Sequence, residues 1–182
     1  MAKVYQIKVQ LRGFTPSNYR TILLESDCTF EDLHLVIQDA FCLWNYHLYD
    51  FNFPDGMRLV PDIDGFDIKL SSSCRLVDTA ELEKYLVSVK DSCTYAYDFG
   101  DDWTFKVTLQ KVLDEEKVQH ELPFVLRRKG PGLIEDCGGV YSLMEMLKVY
   151  HSGNYDEASV EPYGFESCED FETAMRTIVE EE

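Results

Sequence analysis

Long hydrophobic runs are missing from this chain. Nothing in its 182 residues approaches the roughly 18 consecutive apolar residues that a membrane span needs, so no membrane association is expected. No secretory leader is expected either. The N-terminus, MAKVYQIKVQL, alternates polar and apolar residues, which reads as a strand and makes the cytoplasm the expected compartment. There are six cysteines (Cys28, Cys42, Cys74, Cys93, Cys137, Cys168), but no two are separated by only two to four residues, the spacing that structural zinc sites repeat. They are expected to be reduced and packed as small hydrophobes, without structural zinc. Basic residues are scarce: 17 Lys and Arg stand against 34 Asp and Glu, a net charge of −17, of which −11 falls within residues 131–182. That field repels phosphate backbones and disfavours direct nucleic-acid binding. The one basic cluster, Arg127-Arg128-Lys129, reads as a solvated loop. Repeats, low-complexity tracts and linkers are absent, so residues 1–182 are expected to form a single domain.

What is present is a change of period along the chain. Tyr5, Ile7, Val9 and Leu11 alternate with Gln6, Lys8 and Gln10, which predicts a half-buried strand. A Gly/Pro/Ser/Asn turn then leads to a second strand over Tyr19–Glu25, making an antiparallel hairpin. The next segment has a period near 3.6: Phe30, Leu33, Ile37, Ala40, Phe41 and Trp44 form one apolar stripe, entered through a capping-box pattern at Thr29-Phe-Glu-Asp32. A helix over about Thr29–Leu43 is predicted. "HLYDFNF" (His47–Phe53) returns to period two, and Pro54-Asp-Gly56 turns it into a short strand at Arg58–Val60. Residues 61–75 read as a long surface connection and Asp78–Leu86 as a short helix capped by Asp78 or Thr79. Tyr95, Tyr97 and Phe99 alternate, as do Trp103, Phe105, Val107 and Leu109, with Gly100-Asp101-Asp102 as the hairpin tip between them and Phe99 and Trp103 turned inward. Helices at about Tyr141–Tyr150 and after Ser167-Cys-Glu-Asp170 close the chain. The predicted fold is α+β, a mainly antiparallel sheet with packed helices and a β-grasp-like hairpin–helix–strand start.

Chemistry-bearing residues fall in four places. Asp98, Asp101 and Asp102 surround the hairpin tip, Glu135 and Asp136 lie in a glycine-rich loop, His34 lies beside the apolar stripe of the first helix and His47 just beyond that helix. If their loops share one end of the sheet, these carboxylates and imidazoles suit a divalent cation such as Mg²⁺ or Mn²⁺ and a water activated on it. Asp98 is the member to watch, because it is read as lying within a strand. The bland alternative is strong: aspartates bond to their own backbone in turns, and a histidine beside an apolar helix stripe is usually a satisfied core residue. Cys137, before two glycines, has the look of a nucleophile, but no strand–nucleophile–helix elbow surrounds it. "GPGLIEDCGG" lacks the lysine of a phosphate-binding loop. The acid excess and the aromatic hairpin favour a non-catalytic accessory module without a cofactor, docking a basic protein partner or imitating nucleic acid. The alternative is a divalent-metal-dependent hydrolase built on the carboxylate cluster.

Three segments carry a resemblance: "FEDLHLVIQDAFCLWNYHLYDF" (Phe30–Phe51), "YAYDFGDDWTFKVTL" (Tyr95–Leu109) and "GPGLIEDCGGVYSLMEML" (Gly130–Leu147). In this order they are similar to the plasmid pRiA4b ORF-3-like family, whose members are also described as insertion-element passenger proteins. The resemblance spans roughly residues 3–175. It implies an α+β fold and a genetic context of plasmids and mobile elements, not a mechanism. Two departures stand out. Members carry an acid and a histidine after the turn tryptophan where this chain has Thr104 and Phe105, and two prolines before the Glu-Asp pair where it has Leu133-Ile134.

Overall fold

The computed structural model describes residues 2–62 and 72–179. Its frame is one eight-stranded sheet: β1 (Lys3–Leu11), β2 (Asn18–Glu25), β3 (Tyr49–Asn52), β4 (Arg58–Val60), β5 (Cys74–Leu76), β6 (Ser92–Tyr97), β7 (Trp103–Asp114) and β8 (Phe124–Lys129). The order across the sheet is β5-β4-β3-β6-β7-β1-β2-β8, and every pairing is antiparallel except β4 with β5. The helices are α1 (Phe30–Ala40), α2 (Leu82–Tyr85), α3 (Gly139–Ser152), α4 (Glu157–Val160) and α5 (Cys168–Val179). Among the described residues no helix is long and apolar enough to cross a membrane.

Period two and period 3.6 converge on one core. Tyr5, Ile7, Val9 and Leu11 of β1 are buried with Leu33, Ile37 and Ala40 of α1, Leu143 and Met146 of α3, and Phe171, Met175 and Ile178 of α5. The intervening Gln6, Lys8 and Gln10 are only half-buried, as expected where helices cover one sheet face. The capping box forms as read: the Asp32 N–H donates to Thr29 Oγ1 and the Thr29 N–H donates to Asp32 Oδ2.

Several expectations change. Hairpin, helix and strand do follow in order, but the adjacency of a β-grasp start does not form. β1 pairs with β2 and β7, while β3 pairs with β4 and β6. The twelve-residue β7 pairs along the whole nine-residue length of β1 and takes that position, and the loop after α1 carries β3 to the far side of β6. The short helix begins at Leu82 without a side-chain cap. Backbone carbonyls supply the acceptors that Asp78 or Thr79 was expected to provide: the Leu82 N–H donates to Cys28 O and the Glu83 N–H to Ser26 O. Arg127-Arg128-Lys129 is not a loop but the end of β8, paired with β2. Charge on an edge strand discourages further strand addition. Most of the predicted 61–75 connection lies outside the described residues, and its end, Cys74–Leu76, is β5.

Two buried polar groups organise the core. Arg20, on β2, has no exposed surface. Its Nε donates to Ala40 O at the end of α1 (2.7 Å), Nη1 to the carbonyls of Lys129 and Gly130 (3.1 and 3.0 Å) and Nη2 to Pro131 O (3.1 Å). The guanidinium lies 4.5 Å over the Phe41 ring. It therefore joins the end of α1 to the loop leaving β8.

The second group is a closed ring of hydrogen bonds. Gln38 Nε2 donates to Tyr95 Oη (3.0 Å), whose hydroxyl donates to His34 Nδ1 (2.7 Å). His34 Nε2 donates to Asn45 Oδ1 (2.8 Å), and the Asn45 N–H returns to Gln38 Oε1 (2.8 Å). This assignment of donors requires neutral His34. Its ring stacks on Tyr49 with centroids 3.5 Å apart, and burial lowers its pKa to about 4.

Replacing Arg20 with methionine takes a donor from the carbonyls of Ala40, Lys129, Gly130 and Pro131, of which Ala40 O keeps Arg128 Nη1 and Pro131 O keeps Asn18 Nδ2. The expected loss is about 3–5 kcal/mol in urea unfolding; a loss under about 1 kcal/mol would show that water replaces the guanidinium. For His34 the unfolded chain takes up its proton near pH 6.5 and the folded one near 4. Between those values the unfolded state binds more protons. Stability is therefore full above pH 6.5 and falls, by about 3 kcal/mol in all, as the pH drops to about 4. Unfolding midpoints across this window should flatten in His34→Gln. An unchanged slope would assign the acid loss to other groups.

Candidate metal centre

Three segments meet at one end of the sheet: the α1–β3 loop with His47, the β6–β7 turn with Asp98, and the loop before α3 with Glu135 and Asp136. His47 Nε2 lies 3.6 Å from Asp98 Oδ2, 3.8 Å from Glu135 Oε2 and 3.2 Å from Asp136 Oδ1. One donor atom each from His47, Asp98 and Glu135 fall within 4.8 Å of one another. Ligands bound 2.0–2.2 Å from an ion sit about 3.0–3.5 Å apart in octahedral or tetrahedral arrangement, so these three atoms stand somewhat wider than a bound set and would draw in around a single cation.

Each carboxylate is held by one oxygen and presents the other. Asp98 Oδ1 accepts the N–H groups of Gly100 (3.0 Å) and Asp101 (3.3 Å). Glu135 Oε1 accepts the Trp44 N–H (2.7 Å) and the Tyr97 hydroxyl (2.8 Å). Burial and the Glu135 charge hold the Tyr97 phenol well above its ordinary pKa, so it stays protonated and donates. The opposite oxygens, Asp98 Oδ2 and Glu135 Oε2, are buried without a hydrogen-bond partner, and so is His47 Nε2. The other such atom among the described residues is Trp103 Nε1, a donor that cannot hold a cation. Side-chain exposure rises from 8% at Asp98 and 12% at Glu135 to 28% at His47 and 71% at Asp136, so the cluster has a buried floor and a wet mouth.

The remaining predicted residues serve this geometry without joining it. His34 has both ring nitrogens engaged in the core ring and supplies no ligand. Asp101 Oδ2 accepts the Gly138 N–H (3.0 Å), latching the hairpin tip to the glycine-rich loop. Only glycine fits next to this latch, since a Cβ on Gly139 would lie 2.3 Å from Asp101 O. Asp102 accepts from the Thr104 hydroxyl and turns the chain at φ 55°.

Asp98 is not within the strand. β6 ends at Tyr97, and Asp98 adopts a left-handed φ of 52° that aims its carboxylate inward and sends Phe99, expected in the core, to the surface at 54% exposure. Cys137 is buried, and burial together with Asp101 pushes its thiol up to about 12, against a nucleophilic role. Two residues that the sequence reading passed over are the Trp44 backbone and the Tyr97 hydroxyl, which orient Glu135. The alternation of Tyr95 with Tyr97 marked Tyr97 as inward but could not show what its hydroxyl meets.

The protein-family match is to the plasmid pRiA4b ORF-3-like protein, over residues 3–173. Among curated proteins the chain is 29% identical, over 152 residues, to the uncharacterized protein y4hQ of Sinorhizobium fredii (strain NBRC 101917 / NGR234), covering 81% of this chain and 73% of that one. Among solved structures it is similar to MM3350 of Methanosarcina mazei Go1, a protein of unknown function. Identity there is 32% and the TM-score 0.71, over 90% of this chain and 91% of the other. With a match that spans nearly its whole length, the chain belongs to the plasmid pRiA4b ORF-3-like family.

Proposed function

We propose that the protein binds a divalent cation through His47 Nε2, Asp98 Oδ2 and Glu135 Oε2, and that the centre is of the hydrolytic type, with Asp136 at its solvent-facing mouth. One observation carries this reading: three buried ligand atoms converge, each without a hydrogen-bond partner, while the second oxygen of both carboxylates is tied to N–H or O–H donors. Oriented ligands with unsatisfied inner atoms are what a cation needs and what an apolar core avoids. A mixed set of one imidazole and two carboxylates favours Mn²⁺, Fe²⁺ or Zn²⁺ over the all-oxygen preferences of Ca²⁺ and Mg²⁺. Three protein ligands leave coordination positions facing the mouth, where a water would be acidified. Asp136, 3.2 Å from His47 Nε2 and largely exposed, is placed to take its proton. This favours the hydrolase over the non-catalytic module as the role of this end of the sheet; docking to a basic partner belongs to the surface beside it.

Thermal unfolding in the presence of metal tests the proposal. A cation at about 100 times its Kd contributes about 2.7 kcal/mol, so saturating Mn²⁺ or Zn²⁺ should raise the midpoint by about 5–10 °C for a chain of this size. Asp98→Asn and His47→Ala should abolish the rise. Without metal, Asp98→Asn is expected to be neutral or stabilising, because the amide oxygen keeps both backbone bonds and one of three crowded charges is gone. Equal shifts in wild type and both variants, or no shift in any, would eliminate the centre.

A further inference from the structure

A groove of about 710 Å³ lies beside the proposed metal centre, sharing Glu135 and Asp136 with it. Leu133, Ile134 and Ile178 line its apolar part. Its shape is fixed by backbone: the Leu133 N–H donates to Phe41 O (2.7 Å) and the Gly132 N–H to Ile178 O (2.8 Å), joining one wall to the α1 and α5 ends. Trp44 and Tyr46 stand at the rim, each 68% exposed, with ring centroids 5.8 Å apart. Asp39 and Asp170 add carboxylates to those of Glu135 and Asp136, and no lysine, arginine or histidine is among the described lining residues.

Such a lining selects by subtraction. A phosphate or carboxylate ligand meets four carboxylates and no basic side chain among the described lining residues. A purely apolar ligand leaves those acids facing it across the groove. What matches both halves is a polypeptide segment carrying basic and large apolar side chains, because two exposed aromatic rings give large contact area with few rotatable bonds and the acids steer positive charge. We propose that this groove binds a basic, apolar peptide and lays it across the mouth of the metal centre. The position of the peptide as the ligand met by the metal rests on the cation reading above, whereas its charge and apolar preference rest on the groove alone.

The probe is a fluorescein-labelled octapeptide of alternating lysine and leucine with one central tryptophan, read by anisotropy on metal-free and Mn²⁺-treated protein; the control replaces each lysine with glutamate. The lysine peptide should bind, more weakly as salt rises, and the glutamate peptide should not. The double variant Asp39→Asn/Asp170→Asn should weaken binding by about three- to tenfold while keeping the Mn²⁺ shift in midpoint. Trp44→Ala, which leaves the charge unchanged, should weaken it by a similar factor and so separates the groove from the general acidic field. Equal binding of both peptides, or full binding in Trp44→Ala, would overturn the proposal. Peptide binding without any Mn²⁺ shift would uphold the groove and sink the cation centre alone.

Discussion

The fold turns on a positive charge placed where water cannot reach it. Arg20 is entirely buried in an acidic protein, and its partners include a cage of main-chain carbonyls: Ala40, Lys129, Gly130 and Pro131. Those carbonyls come from the last residue of α1 and from the chain leaving β8. The C-terminal end of a helix carries partial negative charge, so the guanidinium is electrostatically matched there as well as hydrogen-bonded. The consequence for the site is direct. The two segments that Arg20 joins run on into the loop bearing His47 and the loop bearing Glu135 and Asp136, and their meeting is fixed at its base before any ligand side chain is placed.

Above that base, rigidity passes outward by hydrogen bonds. The ring through Gln38, Tyr95, His34 and Asn45 holds the α1–β3 loop against the core. Asn45 takes a left-handed φ of 57° within that ring, and Trp44 beside it gives its N–H to Glu135. His34 thus contributes to the candidate centre by position, through Asn45, which lies two residues before His47 in the chain, and not by coordination. The Asp101–Gly138 latch does the same for the opposite wall. Left-handed non-glycine residues concentrate here: Cys42, Asn45, Asp98, Asp102 and Asp136 all lie on the segments that build the site, with Lys90 elsewhere. Such backbone persists where surrounding structure over-determines it.

Much of the scaffold was legible because its signals are local. The capping box at Thr29, the alternation in β1, β6 and β7, and the stripe on α1 each depend on neighbours a few residues apart. Strand adjacency was not, since placing β7 beside β1 is settled by pairing across about a hundred residues. At the site, the list of acids and histidines was readable and their division of labour was not. His34 and His47 are both histidines near an aromatic surface, and only tertiary partners make one a core bridge and set the other among carboxylates. Asp98 was misplaced into the strand because sequence alternation runs on through Tyr97 to Phe99, whereas one left-handed residue breaks it. The cap of α2 was missed for the same kind of reason: backbone carbonyls from Ser26 and Cys28, distant in sequence, did the capping.

The left-handed backbone of Asp98 and Asp136 has a consequence over evolutionary time. Apart from glycine, asparagine and aspartate are the residues that accept that conformation most readily. An exchange between these two keeps the turn and removes the negative charge, and at position 98 it keeps one carbonyl oxygen for the N–H groups of Gly100 and Asp101. It needs a single base change in the codon. The scaffold can therefore lose its charge at either position without losing its shape, and regain it as cheaply, so relatives that share this architecture need not share its chemistry.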